Sequence, residues 1–183
     1  RALHLGTGVK ITVVATHDGG FHADDIFAIA VLRQALGELE VVRTRDAEKQ
    51  AAADLRVDVG GRSDAATGDF DHHQRGGAGE RENGIPYASF GLVWRQFGPQ
   101  LTDDEAVVRA VDERLVQGVD ANDVGLRLSV AANDSGITPL SVSQAISAFN
   151  PPWDADAGDE QVSAAFARGV EFASSGAAHE LAA

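Results

Sequence analysis

Four of the six histidines in this chain stand beside aspartates in two short stretches. His17 and His22 lie in HDGGFHADD (17–25), and His72 and His73 lie in DFDHHQR (69–75). Imidazole nitrogens and carboxylate oxygens are the usual ligands of divalent manganese, iron and zinc. Carboxylates gathered in one place repel one another. Cations relieve that repulsion, and a carboxylate can bridge two of them. Each stretch also has an ordinary reading. His17-Asp18 can end a strand, and Ala23-Asp24-Asp25 can cap a helix, where acids are favoured. Asp58, in VDVGG (57–61), reads on its own as turn chemistry. Their joint occurrence shifts the balance to a metal site. The chain has no cysteine, which excludes thiol catalysis, disulfides and zinc-thiolate sites together.

Such residues must be delivered by ordered elements. Residues 10–16, KITVVAT, form an unbroken β-branched run of the kind found in a buried parallel strand. A glycine-bearing loop follows, then a helix over 23–36 with Ile26, Phe27, Ala30, Val31 and Leu36 on one broad face, stopped by Gly37. Strands are expected over 39–44 and 55–61, with a short helix over 46–53 between them. Strand-helix-strand-helix-strand is the signature of an α/β fold with a mainly parallel sheet flanked by helices. Ligands in such sheets sit beyond the carboxyl ends of the strands, and His17, Asp18 and Asp58 fall at or near those ends. Residues 62–70 read as polar turn material and 76–84 as a flexible loop. Further helices are expected over 86–97, 105–117, 141–149 and 161–173. The segment 126–136 is undecided, AsnProProTrp (150–153) breaks the 141–149 helix, and the tail after 173 gives no sign of packing.

The chain has 183 residues, with 15 basic and 28 acidic side chains and a net charge of −13. The length suits one domain or one and a half. The charge excludes a basic nucleic-acid module held mainly by counterion release, but not an enzyme that meets nucleic acid through bound metal. Basic residues cluster modestly at Arg43/Arg45 and Arg75/Arg81, which suits a short or single-stranded substrate better than a long duplex. His4 and His179 read as exposed bystanders, and Trp94 and Trp153 as packing residues rather than base-stacking platforms. The apolar runs are too short to cross a bilayer, and the N-terminus lacks the order of a signal peptide. We expect a cytoplasmic protein with no membrane partner. Because the chain starts at Arg1 and holds no methionine, we expect it not to be the complete translated product.

Asp71-His72-His73, with Asp58 after a strand and the N-terminal His/Asp cluster, resembles the DHH phosphoesterase superfamily. That group includes RecJ-type exonucleases, oligoribonucleases and the manganese-dependent family II inorganic pyrophosphatases. THDGGFHADD, VVRTRD, VDVGG, FDHHQR, the stretch 88–94 and VDANDVG (119–125) resemble the Myg family more closely, in the same order from about residue 11 to about 153.

The resemblance implies a DHH-like metal-binding catalytic domain over 1–150. Residues 151–183 would then be a helical linker, or the start of a C-terminal domain that is mostly absent here. It implies His17, His22, Asp24, Asp58, His72 and Asp120 as metal ligands, with Asp123 as the alternative to Asp120. His22 stands where the superfamily usually has an aspartate. Asp58 resembles the acid that bridges two metals, His73 the residue that approaches substrate phosphate, and Asp71 a group that orients the histidines. Arg75 would add positive charge at the phosphate, or stand as a solvated loop arginine. The implied cofactor is a pair of divalent cations roughly 3.5–4 Å apart. Manganese is favoured by histidine-rich ligation, with magnesium as the alternative. The implied activity is metal-dependent phosphodiester hydrolysis through a metal-activated water, as in a 3′–5′ RNA exonuclease acting on short or single-stranded RNA. The alternatives are a small-molecule phosphohydrolase acting on pyrophosphate or a dinucleotide, and a metal-binding domain without turnover. No HExxH sequence supports protein hydrolysis. The oligomeric state is not legible in the residues.

Overall fold

The computed structural model describes residues 11–128, 137–152 and 154–182. His4 and Trp153 lie outside the described residues. The order is β1 (Thr12–Thr16), α1 (Ala23–Leu36), β2 (Leu39–Arg43), α2 (Ala47–Ala52), β3 (Leu55–Val57), β4 (Ser63–Asp64), β5 (Asp69–Phe70), α3 (Ser89–Phe97), α4 (Glu105–Val111), α5 (Gln117–Asp123), α6 (Val142–Ser147) and α7 (Asp159–Ala182). The five strands form one sheet in the order β2-β1-β3-β5-β4. All pairings are parallel except β4 with β5. The α/β class read from the alternating elements is the one observed.

Val14, Leu55, Val57 and Phe70 turn one face of the sheet toward the main core. Ala15, Ala53 and Val59 form a smaller cluster on the opposite side, as the period of two along a strand requires. Helix α1 departs from the expected single apolar face. Every residue from Ala23 to Leu32 is buried. Strand β3 and helices α3, α5, α6 and α7 all contact it, so it is the central helix of the domain. Past the acidic first turn, the run from Ile26 to Leu32 is apolar all round, as suits the helix that the rest of the fold surrounds.

Three local expectations are corrected. Residues 62–70 are not only turn: β4 and β5 lie there, each too short to leave a periodic trace. The helix expected from Pro86 begins at Ser89. The tail continues α7 to Ala182, with Ala173 and Ala177 buried and His179 exposed. Trp94 is buried and donates from Nε1 to Val108 O, as a packing residue does.

Candidate metal centre

Three neighbouring parallel strands end side by side, and each is followed at once by a polar residue. β1 leads into His17, β3 into Asp58 and β5 into Asp71. Asp58 takes a φ of +58°, a left-handed value uncommon outside glycine. Its N–H donates to Phe70 O at 3.1 Å. The strained conformation is held by the sheet edge and lies in the middle of the cluster.

Asp58 is the hub. Its Oδ2 lies 3.3 Å from His17 Nε2. Its Oδ1 lies 3.4 Å from His72 Nε2 and 3.3 Å from His73 Nδ1. His72 Nε2 also lies 3.1 Å from Asp123 Oδ2 and 4.0 Å from Asp24 Oδ2. His22 Nδ1, on a largely exposed ring, is 4.0 Å from Asp123 Oδ1. The ligand-type atoms fall into three overlapping groups: His17, His22 and Asp58; Asp24, His72 and Asp123; and Asp58, Asp71, His72 and His73. The donor set suits divalent ions. His17 Nε2 and His72 Nε2 are buried without a hydrogen-bond partner among the described residues, and both face carboxylate oxygens. A buried polar nitrogen left in that state is costly unless something else satisfies it.

Asp71 shapes the turn that presents the two histidines. Its Oδ1 accepts from His72 N at 2.7 Å, His73 N at 3.1 Å and the His73 ring at 2.8 Å. Its Oδ2 accepts from Gly61 N at 2.6 Å, tying the turn to the loop after Asp58.

Asp24 and Asp25 occupy the first turn of α1, where the helix dipole favours carboxylates. Asp24 is fully buried and accepts from Ser89 N at 3.1 Å and Phe90 N at 2.7 Å, so it also satisfies the first N–H groups of α3. Asp25 closes a capping box by accepting from His22 N at 2.9 Å, and its Oδ2 lies 3.3 Å from His17 Nε2. The sequence points to Asp25 only as a helix-capping acid, which it is, and gives no sign of its contact with His17.

Helices α4 and α5 are joined through a π turn over Asp112–Val116 into one continuous rod. Such turns rotate everything downstream. Asp120 and Asp123 lie about one turn apart on it. The structure brings Asp123 into the cluster and leaves Asp120 outside it. Asp120 is buried, accepts from Gly91 N at 2.9 Å and pairs with Arg81 Nη1 at 2.8 Å. Arg81 also holds Asp112 and stacks on Tyr87, so it is a structural cation and not part of a surface cluster. Arg75 is exposed and does not line the adjoining cavity.

That cavity has a volume of about 750 Å³. The cluster residues His17, His22, Asp58, Asp71, His73 and Asp123 line one side. Arg45, Gln50, Asn122, Ser143 and Gln144 line others. In the sequence Arg45 reads only as part of a basic cluster. It enters the wall because β2 ends beside β1 and sends the chain over the same edge.

The electrostatics are those of a crowded anionic site. Burial alone would lower the pKa of His17, but Asp58 and Asp25 beside it raise it to about 9. His72 is likewise opposed by burial, yet Asp123, Asp58 and Asp24 raise it to about 10. Burial pushes Asp25 up to about 7 despite the attraction of His17. Burial, reinforced by Asp58, Asp123 and Asp120, holds Asp24 well above the usual carboxylate range. Asp58 stays low against its burial because His17 and His72 both favour its charged form. In the absence of metal, protons therefore do the charge balancing that cations would do.

Fold and cluster together define an α/β protein with a histidine-aspartate centre of metal-ligand type at the carboxyl edge of a parallel sheet. The chain belongs to the MYG1 exonuclease family, described as Uncharacterised protein family (UPF0160), which it matches over residues 13–182. It is 31% identical over 180 residues to the MYG1 protein YER156C of Saccharomyces cerevisiae, covering 87% of this chain and 53% of that one. It is 33% identical over 173 residues to the MYG1 protein C694.04c of Schizosaccharomyces pombe, covering 83% and 52%. With the MYG1 exonuclease of Homo sapiens it shares 30% over 179 residues, covering 87% and 47%. The chain thus spans about half the length of these relatives. No solved structure matches it. Among the described residues no helix is long and apolar enough to cross a membrane.

Proposed function

We propose that this chain carries the metal-binding catalytic half of a phosphodiester hydrolase, acting as a 3′–5′ exonuclease on short or single-stranded RNA. The observation that carries this reading is Asp58, whose two oxygens face different histidines, as a carboxylate bridging two cations must. The names of the mammalian relatives support the nuclease class. In this reading His17, His22 and Asp58 hold one divalent ion, and Asp24, Asp58, His72 and Asp123 hold the other. Manganese suits the mixed nitrogen and oxygen donors better than magnesium does. Asp123 takes the place first expected for Asp120.

When bound, the ions supply Lewis acidity at a phosphoryl oxygen and a water that ionises near neutral pH. The protein's own groups prepare that chemistry. Asp71 fixes the ring of His73 at the cavity wall, where it can donate to a phosphate oxygen. Asp18 O holds His17 from behind by accepting from its Nδ1 at 3.0 Å, which leaves Nε2 facing Asp58 and Asp25, and Asp24 locks the carboxylate side of the cluster onto the N-terminus of α3. Arg45, paired with Asp18 at 3.0 Å, places a cation on the cavity wall of a chain whose net charge is −13.

The test is stepwise shortening of 5′-labelled RNA with and without manganese, run beside hydrolysis of pyrophosphate. Manganese-dependent shortening of RNA that Asp58→Ala abolishes is the expected result. Hydrolysis of pyrophosphate alone would move the protein to the small-molecule class. Tight manganese binding with no turnover would leave this half a metal-binding domain.

A further inference from the structure

The loop Asp18–His22 carries one cluster histidine at its end and follows directly on another, yet its glycines give it little stiffness of its own. Arg45 pairs with Asp18 and Arg43 donates to Gly19 O, which holds its first half, and its far end is held by a residue distant in the chain. Asn150 lies just after α6, and its carboxamide meets the backbone of Phe21 at two points. Phe21 N donates to Asn150 Oδ1 at 3.0 Å, and Asn150 Nδ2 donates to Phe21 O at 2.9 Å. This pairing reproduces with a side chain the two-way exchange of an antiparallel strand pair. Phe21 is buried against Phe166 of α7, so the clamp closes over a rigid floor. Asn150 is itself fixed. Its N–H donates to Ser147 O at 3.1 Å, and Pro151 and Pro152 follow, where the chain cannot continue a helix.

We propose that Asn150 is a positioning residue for the metal centre: by holding both polar groups of Phe21 it sets the end of the loop that delivers His22. This rests on the metal-dependent reading above. It also gives a role to the AsnProPro segment, which the sequence shows only as a break. Groups that orient ligands from behind typically change metal affinity by about 10–100-fold when removed.

The experiment uses the whole chain. Manganese affinity is measured by titration calorimetry, without nucleic acid, for the wild type, Asn150→Ala, His22→Ala and the double variant, with metal-free melting recorded for each. Asn150→Ala is expected to weaken manganese binding by about tenfold or more. It should weaken binding less in the His22→Ala background, because both act on the same ligand. Amide hydrogen exchange over 18–22 is expected to speed up in metal-free Asn150→Ala. Asn150→Asp keeps the acceptor for Phe21 N but sets a carboxylate oxygen against Phe21 O, so it should weaken manganese binding relative to wild type although the side chain is nearly the same size. Equal manganese affinity in wild type and Asn150→Asp, or unchanged exchange over 18–22, overturns the positioning role. A wild-type chain that takes up no manganese overturns the proposed function and this role with it.

Discussion

Nε2 of His72 lies 3.4 Å from Oδ1 of Asp58, and that same nitrogen lies 3.1 Å from Oδ2 of Asp123. One imidazole thus joins the turn after β5, the end of β3 and the last turn of α5. The arrangement makes Asp58 the side chain whose loss should disturb most of the site at once.

Asp58→Ala is expected to reduce manganese-dependent RNA hydrolysis by roughly 10²–10³-fold or more, the size of effect seen when a main electrostatic group is removed from an active site. Single-turnover rates at saturating manganese check this. Activity that persists in a variant shown by circular dichroism to be folded would remove Asp58 from the mechanism.

Asp120 and Asp123 should separate by phenotype. Asp120→Ala leaves Arg81 half paired and the Gly91 N–H without its acceptor, and breaking a buried ion pair costs about 3–5 kcal/mol. Asp112 still holds Arg81, which puts the expected loss at the low end, about 3 kcal/mol or roughly 10 °C in melting temperature. Asp123→Ala removes one carboxylate partner of His72, so it should lower metal-free melting less than Asp120→Ala does, and it should weaken manganese binding. Differential scanning calorimetry with and without chelator distinguishes the two, and the reverse pattern would return Asp120 to the metal centre.

The pH dependence has a definite sign. His17 and His72 have folded pKa values of about 9 and about 10, above the ordinary value of 6.5. The metal-free folded chain therefore binds more protons than the unfolded chain above pH 6.5. The stability these histidines contribute is complete below pH 6.5 and is lost as pH rises through 9 and 10. Asp25, raised to about 7, acts in the same direction between its ordinary value and pH 7. In chelator, denaturant midpoints should fall from pH 6.5 to pH 10. Manganese affinity should rise over the same range, with protons released on binding. A metal-free midpoint that climbs with pH there would contradict the proton-balanced cluster.

Gly91 is a packing requirement. A Cβ on Gly91 would lie 1.9 Å from Asp120 Oδ2 and 2.9 Å from Arg81 Nη2. Gly91→Ala should cost about 1–3 kcal/mol, the usual range for overpacking. Because the clash is with Asp120, the pair Gly91→Ala and Asp120→Ala should be less than additive, which a double-mutant cycle in urea would measure.

Much of this protein is legible in its residues because the relevant signals are local. The run KITVVAT marks a buried strand, and the alternation of strand and helix through residue 61 marks a parallel sheet. Strand ends then dictate where polar residues gather, so the local sequence points to His17 and to the Asp71-His72-His73 turn, whereas Asp58 by itself reads as turn chemistry and is drawn in by their company. What the tertiary structure alone decided depends on rotation and on distant partners. Whether Asp120 or Asp123 faces His72 depends on the phase of a helix that passes through a π turn, and no pattern within VDANDVG encodes that phase. The full burial of α1 comes from the helices around it, not from its own periodicity. The two-residue β5 exists because β3 offers it hydrogen bonds, and Asn150 meets Phe21 because α6 docks beside the loop. Composition and spacing record what a segment prefers by itself, whereas these contacts are settled by which surfaces meet when the chain closes.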